Sequence, residues 1–245
     1  MVKTTHLADS SPVLGILVLD TGFPRIVGDV GNSESFSFPV LMKTVVGATP
    51  TKVTGRDVDE LLESFASGAQ ALVDAGVAGI TTTCGFLAVL QPQLAGLCSV
   101  PFAASSLLQV PSVQATLPAD KRVGVITFSA KLLTEAHLRG AGAPADTPLE
   151  GLSEQSSFYR MIIEGAQTID AAQAERDVID AGTRLLRRHP EVGAIVVECA
   201  NMPPYSAALR ESLKLPIYDP LSFLNWFYAS LQPARFGREP GANQR

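Results

Sequence analysis

Cys84 and Cys199 are the residues of this chain best suited to chemistry, because each stands where an apolar run breaks into a turn. The first run reads Val77-Ala-Gly-Ile-Thr-Thr-Thr-Cys84-Gly-Phe86; the second spans Val192 to Val197 and turns through Glu198-Cys199-Ala200-Asn201. A constant offset of 115 residues pairs Val77 with Val192, Ile80 with Ile195, Cys84 with Cys199, Leu94 with Leu209 and Pro101 with Pro216. The match runs without a gap through a strand, the thiol at its end, a helical segment and a proline step, as a duplicated α/β unit would leave it. In parallel sheets ligands bind at the carboxyl edge, so two such thiols on facing lobes approach a small molecule from opposite sides. A following helix aims its first amides at each sulfur and is expected to favour thiolate over thiol. One cysteine alone reads as a small buried hydrophobe. Two at matched positions of a repeat read as functional thiols of one small-molecule site.

The neighbours of the two thiols suggest how a carboxylate is held. Alternation along a strand puts Thr81 and Thr83 on one face and Thr82 on the other, so at least one hydroxyl faces the site. Those hydroxyls and the amides of Gly85 and Phe86 can bind a carboxylate and the charge that builds on it during proton removal. Threonine is also simply favoured in strands. Glu198, Ala200 and Asn201 occupy the places of Thr83, Gly85 and Phe86 in the repeat. Glu198 either orients or deprotonates Cys199, or raises its pKa by burial beside it. Asp20, in Asp20-Thr21-Gly22, resembles half of an aspartic-protease signature, but its second half is missing and the helical periodicity contradicts an all-β enzyme. Asp20 therefore reads as a strand-end residue near the site. Arg25 meets a second acidic group of the substrate or is a solvated loop residue. Cys98 has no polar company and reads as structural. Without a Cys-x-x-Cys pair or a histidine at ligand spacing, redox and zinc readings are weak; His137 and His189 fall in helical, exposed contexts.

The elements that must carry these residues follow from periodicity. Leu14 to Asp20 reads as the first strand, Phe23 to Val40 as a long loop over the strand ends, and Leu41 to Val46 as a second strand. Thr54-x-x-Asp57 opens a helix whose core face is Val58, Leu61, Leu62, Phe65, Ala69, Leu72 and Val73 and whose stop is Gly76. Lys121 to Thr127 restarts the pattern; a helix over 129–139 ends at Gly140-Ala-Gly142, which lacks the spacing of a dinucleotide fingerprint, and a loop continues to Gly151. Helices over 171–188, from Pro203-Pro204 through Leu213, and over 221–231 complete the chain. Alternation of strands and helices predicts an α/β fold with mostly parallel sheets flanked by helices, in two pseudo-symmetric lobes with the active site in the cleft between them. The first lobe is expected over 12–118, the second over 119–219, a C-terminal helix over 220–232 returning to the first, and an unstructured tail over 233–245.

Composition permits either one domain or two lobes, for 245 residues at 46% hydrophobic. The net charge is −5, from 19 basic and 24 acidic residues without a basic cluster, which argues against nucleic acid. No apolar run approaches the roughly 18 residues of a membrane span and the start lacks a signal peptide's apolar core, so the expected address is the cytoplasm. An odd number of widely spaced cysteines, three, makes no disulfide framework.

The strand ending in Asp20-Thr21-Gly22, the Thr82-Thr83-Cys84-Gly85 turn, the Glu198-Cys199-Ala200-Asn201 turn and the repeat together resemble the aspartate/glutamate racemase superfamily, over most of the chain. That superfamily includes glutamate, aspartate and hydantoin racemases and the related arylmalonate decarboxylases and maleate isomerases. The resemblance implies two α/β lobes, a site between them, no pyridoxal phosphate or other cofactor, no metal, and commonly a homodimer, with Cys84 and Cys199 as the acid/base pair. Around them the expected substrate-binding residues are Asp20, Thr21, Arg25, Thr82, Thr83, Gly85, Phe86, Glu198, Ala200 and Asn201. Gly85-Phe86 and Ala200-Asn201 depart from the Asn-Thr and Thr-His of well-known amino-acid racemases. Both thiols are present, as in the racemases, whereas the decarboxylases keep only the second. The expected function is a cofactor-independent racemase or epimerase of an amino acid or related carboxylate. The alternative is a cysteine-dependent cis-trans isomerase, decarboxylase or lyase of a small dicarboxylate on the same fold.

Overall fold

Short runs of apolar, β-branched residues form two four-stranded parallel sheets in this chain, and a computed structural model describes residues 11–55 and 58–233 of it. The first sheet holds β1 (Leu14–Leu19), β2 (Val40–Val45), β3 (Gly79–Thr82) and β4 (Phe102–Ala103) in the order β2-β1-β3-β4. Around it lie α1 (Pro50–Val53), α2 (Leu62–Asp74), α3 (Gln91–Leu97) and α4 (Val110–Gln114). The second sheet repeats the order as β6-β5-β7-β8, from β5 (Arg122–Thr127), β6 (Leu149–Gly151), β7 (Val192–Val197) and β8 (Ile217–Tyr218). Its helices are α5 (Glu135–Gly140), α6 (Ser157–Glu164), α7 (Ala171–Arg188) and α8 (Ser206–Leu213), and α9 (Pro220–Leu231) follows. Every strand pairing is parallel, and β1, β3, β5 and β7 are almost wholly buried, as strands covered by helices on both faces must be.

The internal repeat survives in three dimensions. At the offset of 115, β4 falls on β8, and α3 and α8 begin at matched residues, Gln91 and Ser206. Each cysteine heads the same local turn: Leu87 N donates to the Cys84 carbonyl and Met202 N to the Cys199 carbonyl, both at 3.1 Å.

Helix ends carry their own signals. Asp170 accepts the Gln173 amide at the start of α7, a cap worth about 1 kcal/mol, and Arg187 and Arg188 close that helix against its negative end. Asp219 and Ser222 form a reciprocal capping box that starts α9, with Pro220 in the first turn. Phe223, Leu224 and Phe227 of α9 pack on Leu14, Ile16 and Ala103 of the first sheet, and the Tyr228 hydroxyl donates to the Pro12 carbonyl at 2.8 Å. Trp226, on the opposite face, is 68% exposed.

Several local expectations need correction. The segment before Gly151 contains a strand, β6, three residues long on a sheet edge and preceded by Pro148, too short to show alternation. No helix starts at Ser129; turns lead to α5, capped by Thr134. His137 is buried, not exposed, because its ring caps α5 and meets the edge of Phe86 at 5.1 Å. Thr54 does not open a helix: its hydroxyl bonds back to the Pro50 carbonyl at the end of α1, while α2 is entered through a 3₁₀ turn at Val58–Leu61. Asp57 and most of the expected tail, 234–245, lie outside the described residues.

One apolar core runs through both lobes, with Phe86, Leu87 and Ala88 of the first against Phe128, Leu138 and Ala141 of the second. At this seam a side chain on Gly140 would lie 2.0 Å from the Ala88 carbonyl oxygen, so only glycine lets α5 approach so closely.

Candidate active site

β3 ends at Thr82, and the three threonines there divide their labour. Thr81 donates to the Ala103 carbonyl and Thr82 to the Ala104 carbonyl, both at 2.8 Å, and Thr82 also accepts the Cys84 amide at 3.1 Å. Thr83 accepts the Leu19 amide at 3.0 Å, which leaves its own proton for a ligand. The backbone then enters a 3₁₀ turn, Gly85–Leu90, that aims the Phe86 and Leu87 amides at the Cys84 sulfur. Across the cleft, the Glu198 amide donates to the Ile126 carbonyl and so extends β7 by one residue, and Cys199 follows.

Both thiols line one cavity, together with Thr83, Gly85, Phe86, Glu198, Ala200, Asn201 and Arg25. Leu19, Phe23, Pro50, Thr54, Phe128 and Ile162 complete its wall. A Cβ on Gly85 would stand 2.0 Å from Glu198 Oε1, so the missing side chain of one turn is the room taken by the carboxyl of the other. Glu198 is 2% exposed, and the Thr127 hydroxyl donates to its Oε2 at 2.6 Å.

The loop after β1 completes the enclosure. Arg25 donates to Asp29 at 2.9 Å and to Thr21 at 3.1 Å, and its guanidinium lies 5.0 Å from the centre of the Phe23 ring. Buried Asp29 also accepts the Gly31 amide and the Asn201 side-chain amide, and the Val30 amide donates to the Ala200 carbonyl at 3.1 Å. A loop of the first lobe is thereby tied to the cysteine turn of the second.

Burial governs the charges. Some of the Cys84 residue is exposed, yet its sulfur is enclosed, and burial followed by the Glu198 charge pushes the thiol up to about 12 against the Phe86 and Leu87 amides and Arg25. Cys199 is pushed well above the usual thiol range by burial, then by Glu198, with Asp29 and Cys84 adding to the shift and the Asn201 amide opposing it. Burial also lifts Glu198 to about 7, against the Thr127 hydrogen bond. The expected thiolate bias from the following turns is thus overturned: their amides act in the expected direction, but desolvation is larger. Glu198 raises the pKa of both thiols and makes no hydrogen bond to Cys199 among the described residues.

The same two-lobed arrangement occurs in known structures. An arylmalonate decarboxylase superposes with a TM-score of 0.60 at 14% identity, over 94% of this chain and 96% of that one. Allantoin racemase from Pseudomonas fluorescens gives 0.62 at 15%, over 89% and 90%. The chain has the fold of the aspartate/glutamate racemase superfamily. No family model matches the chain. In sequence, it is similar to dimethylsulfoniopropionate lyase 3 of Emiliania huxleyi, 30% identical over 243 residues and 94% of this chain, and spans 63% of that relative's length. Dimethylsulfoniopropionate lyase of Durusdinium sp. clade D is 27% identical over 233 residues, 91% of this chain and 77% of the relative.

Within this superfamily fold, three of the expected site residues stand outside the cavity wall. Asp20 is exposed and accepts the Gly47 amide at 2.9 Å, because alternation after Leu19 turns it away from the site. Thr21 supports Arg25, and Thr82 is spent on the backbone. Phe128, one residue past β5 as Asp20 is past β1, was open to the same strand-end argument. Asp29 lay inside the loop singled out for its length, but one acidic residue among many polar ones gave no further signal.

Proposed function

We propose that this chain is a lyase that removes a β-leaving group from a small carboxylate, with dimethylsulfoniopropionate, the molecule in its relatives' names, as the substrate. The observation that carries the reading is a pair of thiols on one cavity in a chain similar to such lyases over nearly its whole length. It departs from the racemase expected above and from the dicarboxylate of the alternative, and keeps that alternative's reaction class.

In the free site both thiols hold their protons. A substrate that brings a permanent positive charge into this enclosed space lowers the cost of a thiolate, and the Cys84 proton leaves to water. Cys84 is the base because two amides and Arg25 favour its anion. The thiolate takes a proton from the carbon beside the carboxylate; that C–H pair becomes the new C=C bond, and the C–S bond breaks with its pair remaining on sulfur. Acrylate and neutral dimethyl sulfide leave, and Cys84 is a thiol again. Thr83 and the Cys199 S–H donate to the carboxylate as its charge grows, and the rings of Phe23, Phe86 and Phe128 face the sulfonium.

Two-thiol racemisation is the second reading, favoured by both sulfurs lining the cavity. Headspace measurement of dimethyl sulfide over purified protein and dimethylsulfoniopropionate decides between them. Release is expected; no release at any substrate concentration overturns the lyase. Deuterium uptake from D2O at the stereocentre of amino acids or hydantoins, with loss of optical activity, would put the racemase in its place.

A further inference from the structure

The loop after β1 reaches the second thiol through a chain of hydrogen bonds with one permitted polarity. A carboxylate only accepts, so the group that Asn201 turns toward Asp29 is Nδ2, and its Oδ1 is left facing Cys199, whose sulfur lies 3.6 Å away. Asp29 is itself held on its other oxygen by Arg25 at 2.9 Å and the Gly31 amide at 2.6 Å, and is 3% exposed. A carbonyl oxygen facing sulfur accepts the S–H while the site is free and repels an S⁻, so Cys199 keeps a proton that it can turn to a bound carboxylate.

We propose that Asp29 is a positioning residue of the first lobe that holds Cys199 of the second lobe as a proton donor by fixing the orientation of the Asn201 amide. The arrangement makes the duplicated site one-directional: Cys84 receives donors and serves as base, while Cys199 meets an acceptor and keeps its proton. Glu198, Asp29, Cys84 and Tyr205 are the titratable groups around Cys199, with Arg25 behind Asp29. Glu198, Asp29 and Cys84 disfavour its anion, and among the described residues only Asn201 offers it an acceptor for the proton. The assignment concerns thiol chemistry and holds whichever substrate the site takes.

The full chain carrying Cys84→Ser and Cys98→Ser leaves Cys199 as the one thiol, and the pH dependence of its alkylation by iodoacetamide gives a midpoint. Asp29→Asn keeps the shape and frees Asn201 to turn Nδ2 to the sulfur, so the midpoint is expected to fall by about one pH unit or more. A loosened loop alone would raise the rate at every pH and leave the midpoint in place, which would overturn the proposal. Adding Asn201→Ala separates positioning from charge. With the side-chain amide gone, Asp29→Asn is expected to lower the midpoint by clearly less than it does with Asn201 in place, the remainder being its direct charge, whereas an undiminished shift means that Asp29 acts by its charge alone and overturns the relay. Should Asp29→Asn fail to fold, Asn201→Ala alone is expected to lower the midpoint, and an unchanged midpoint is fatal to the idea. None of these readings depends on dimethyl sulfide release, so the lyase can fail while the relay stands, or the reverse.

Discussion

Burial and Glu198 work against both thiolates, but at Cys84 the amides of Phe86 and Leu87 and the charge of Arg25 oppose them, whereas at Cys199 a single amide, that of Asn201, does so and Asp29 adds to the penalty. The backbones of the two turns match, down to the 3.1 Å hydrogen bond three residues ahead of each cysteine. Duplication therefore supplied two equivalent scaffolds, and the side chains placed on them made the sulfurs unlike. A reaction that needs one base and no reprotonation of the same carbon uses that inequality; a racemase would be served by two similar thiols.

The largest expected effect breaks or confirms this inequality directly. Cys84→Ser should lower turnover about a thousandfold, within the range for losing a general base, whereas Cys199→Ala should cost about tenfold, the worth of one hydrogen bond to a charged group. Equal losses would mean that the turns are functionally alike. Next is Glu198, which binds its proton at about 7 in the folded chain against an ordinary 4.5. The folded state holds more protons between those values, so this group's contribution favours folding most below about pH 4.5 and is lost as pH rises to about 7. Glu198→Gln should remove that slope, worth on the order of 2–3 kcal/mol, in the difference between urea unfolding curves of the two proteins from pH 5 to 8. It should also make both thiols alkylate at lower pH, Cys84 and Cys199 together.

Gly85→Ala probes the space between the turns. The added methyl meets Glu198 Oε1 at 2.0 Å and its backbone oxygen at 2.7 Å, so a loss of about 1–3 kcal/mol is expected in thermal unfolding. The smallest effect is expected from Thr82→Val, which gives the first turn the residue found at the matched position 197 of the second. It removes the hydroxyl that bonds Ala104 and Cys84 and should cost about 1 kcal/mol, with little change in the Cys84 alkylation midpoint.

Much of the architecture was legible because the repeat and the apolar runs are local signals. Strand β7 and helix α7 fall where the pattern puts them, at Val192–Val197 and Ala171–Arg188, and α9 differs by one residue. What escaped was short or depended on depth. β6 has too few residues to alternate, and His137 is buried by Phe86, more than fifty positions away in the chain. The thiol pKa values turn on desolvation, which residue order does not record, so the amides could be anticipated and the larger opposing effect could not. The cysteines, Thr83, Gly85 and Glu198 were accessible from the repeat. Asp29 was not, because its role arises from a contact between a loop and a turn 172 residues apart.

The fit of the Glu198 carboxyl into the space over Gly85 means that the halves can no longer be exchanged. A chain built from two copies of the second half would set alanine methyls where carboxyl oxygens must lie, and one built from two copies of the first would have threonine where Glu198 stands. Having diverged where Gly85 touches Glu198, the twin units are now obliged to remain a mismatched couple.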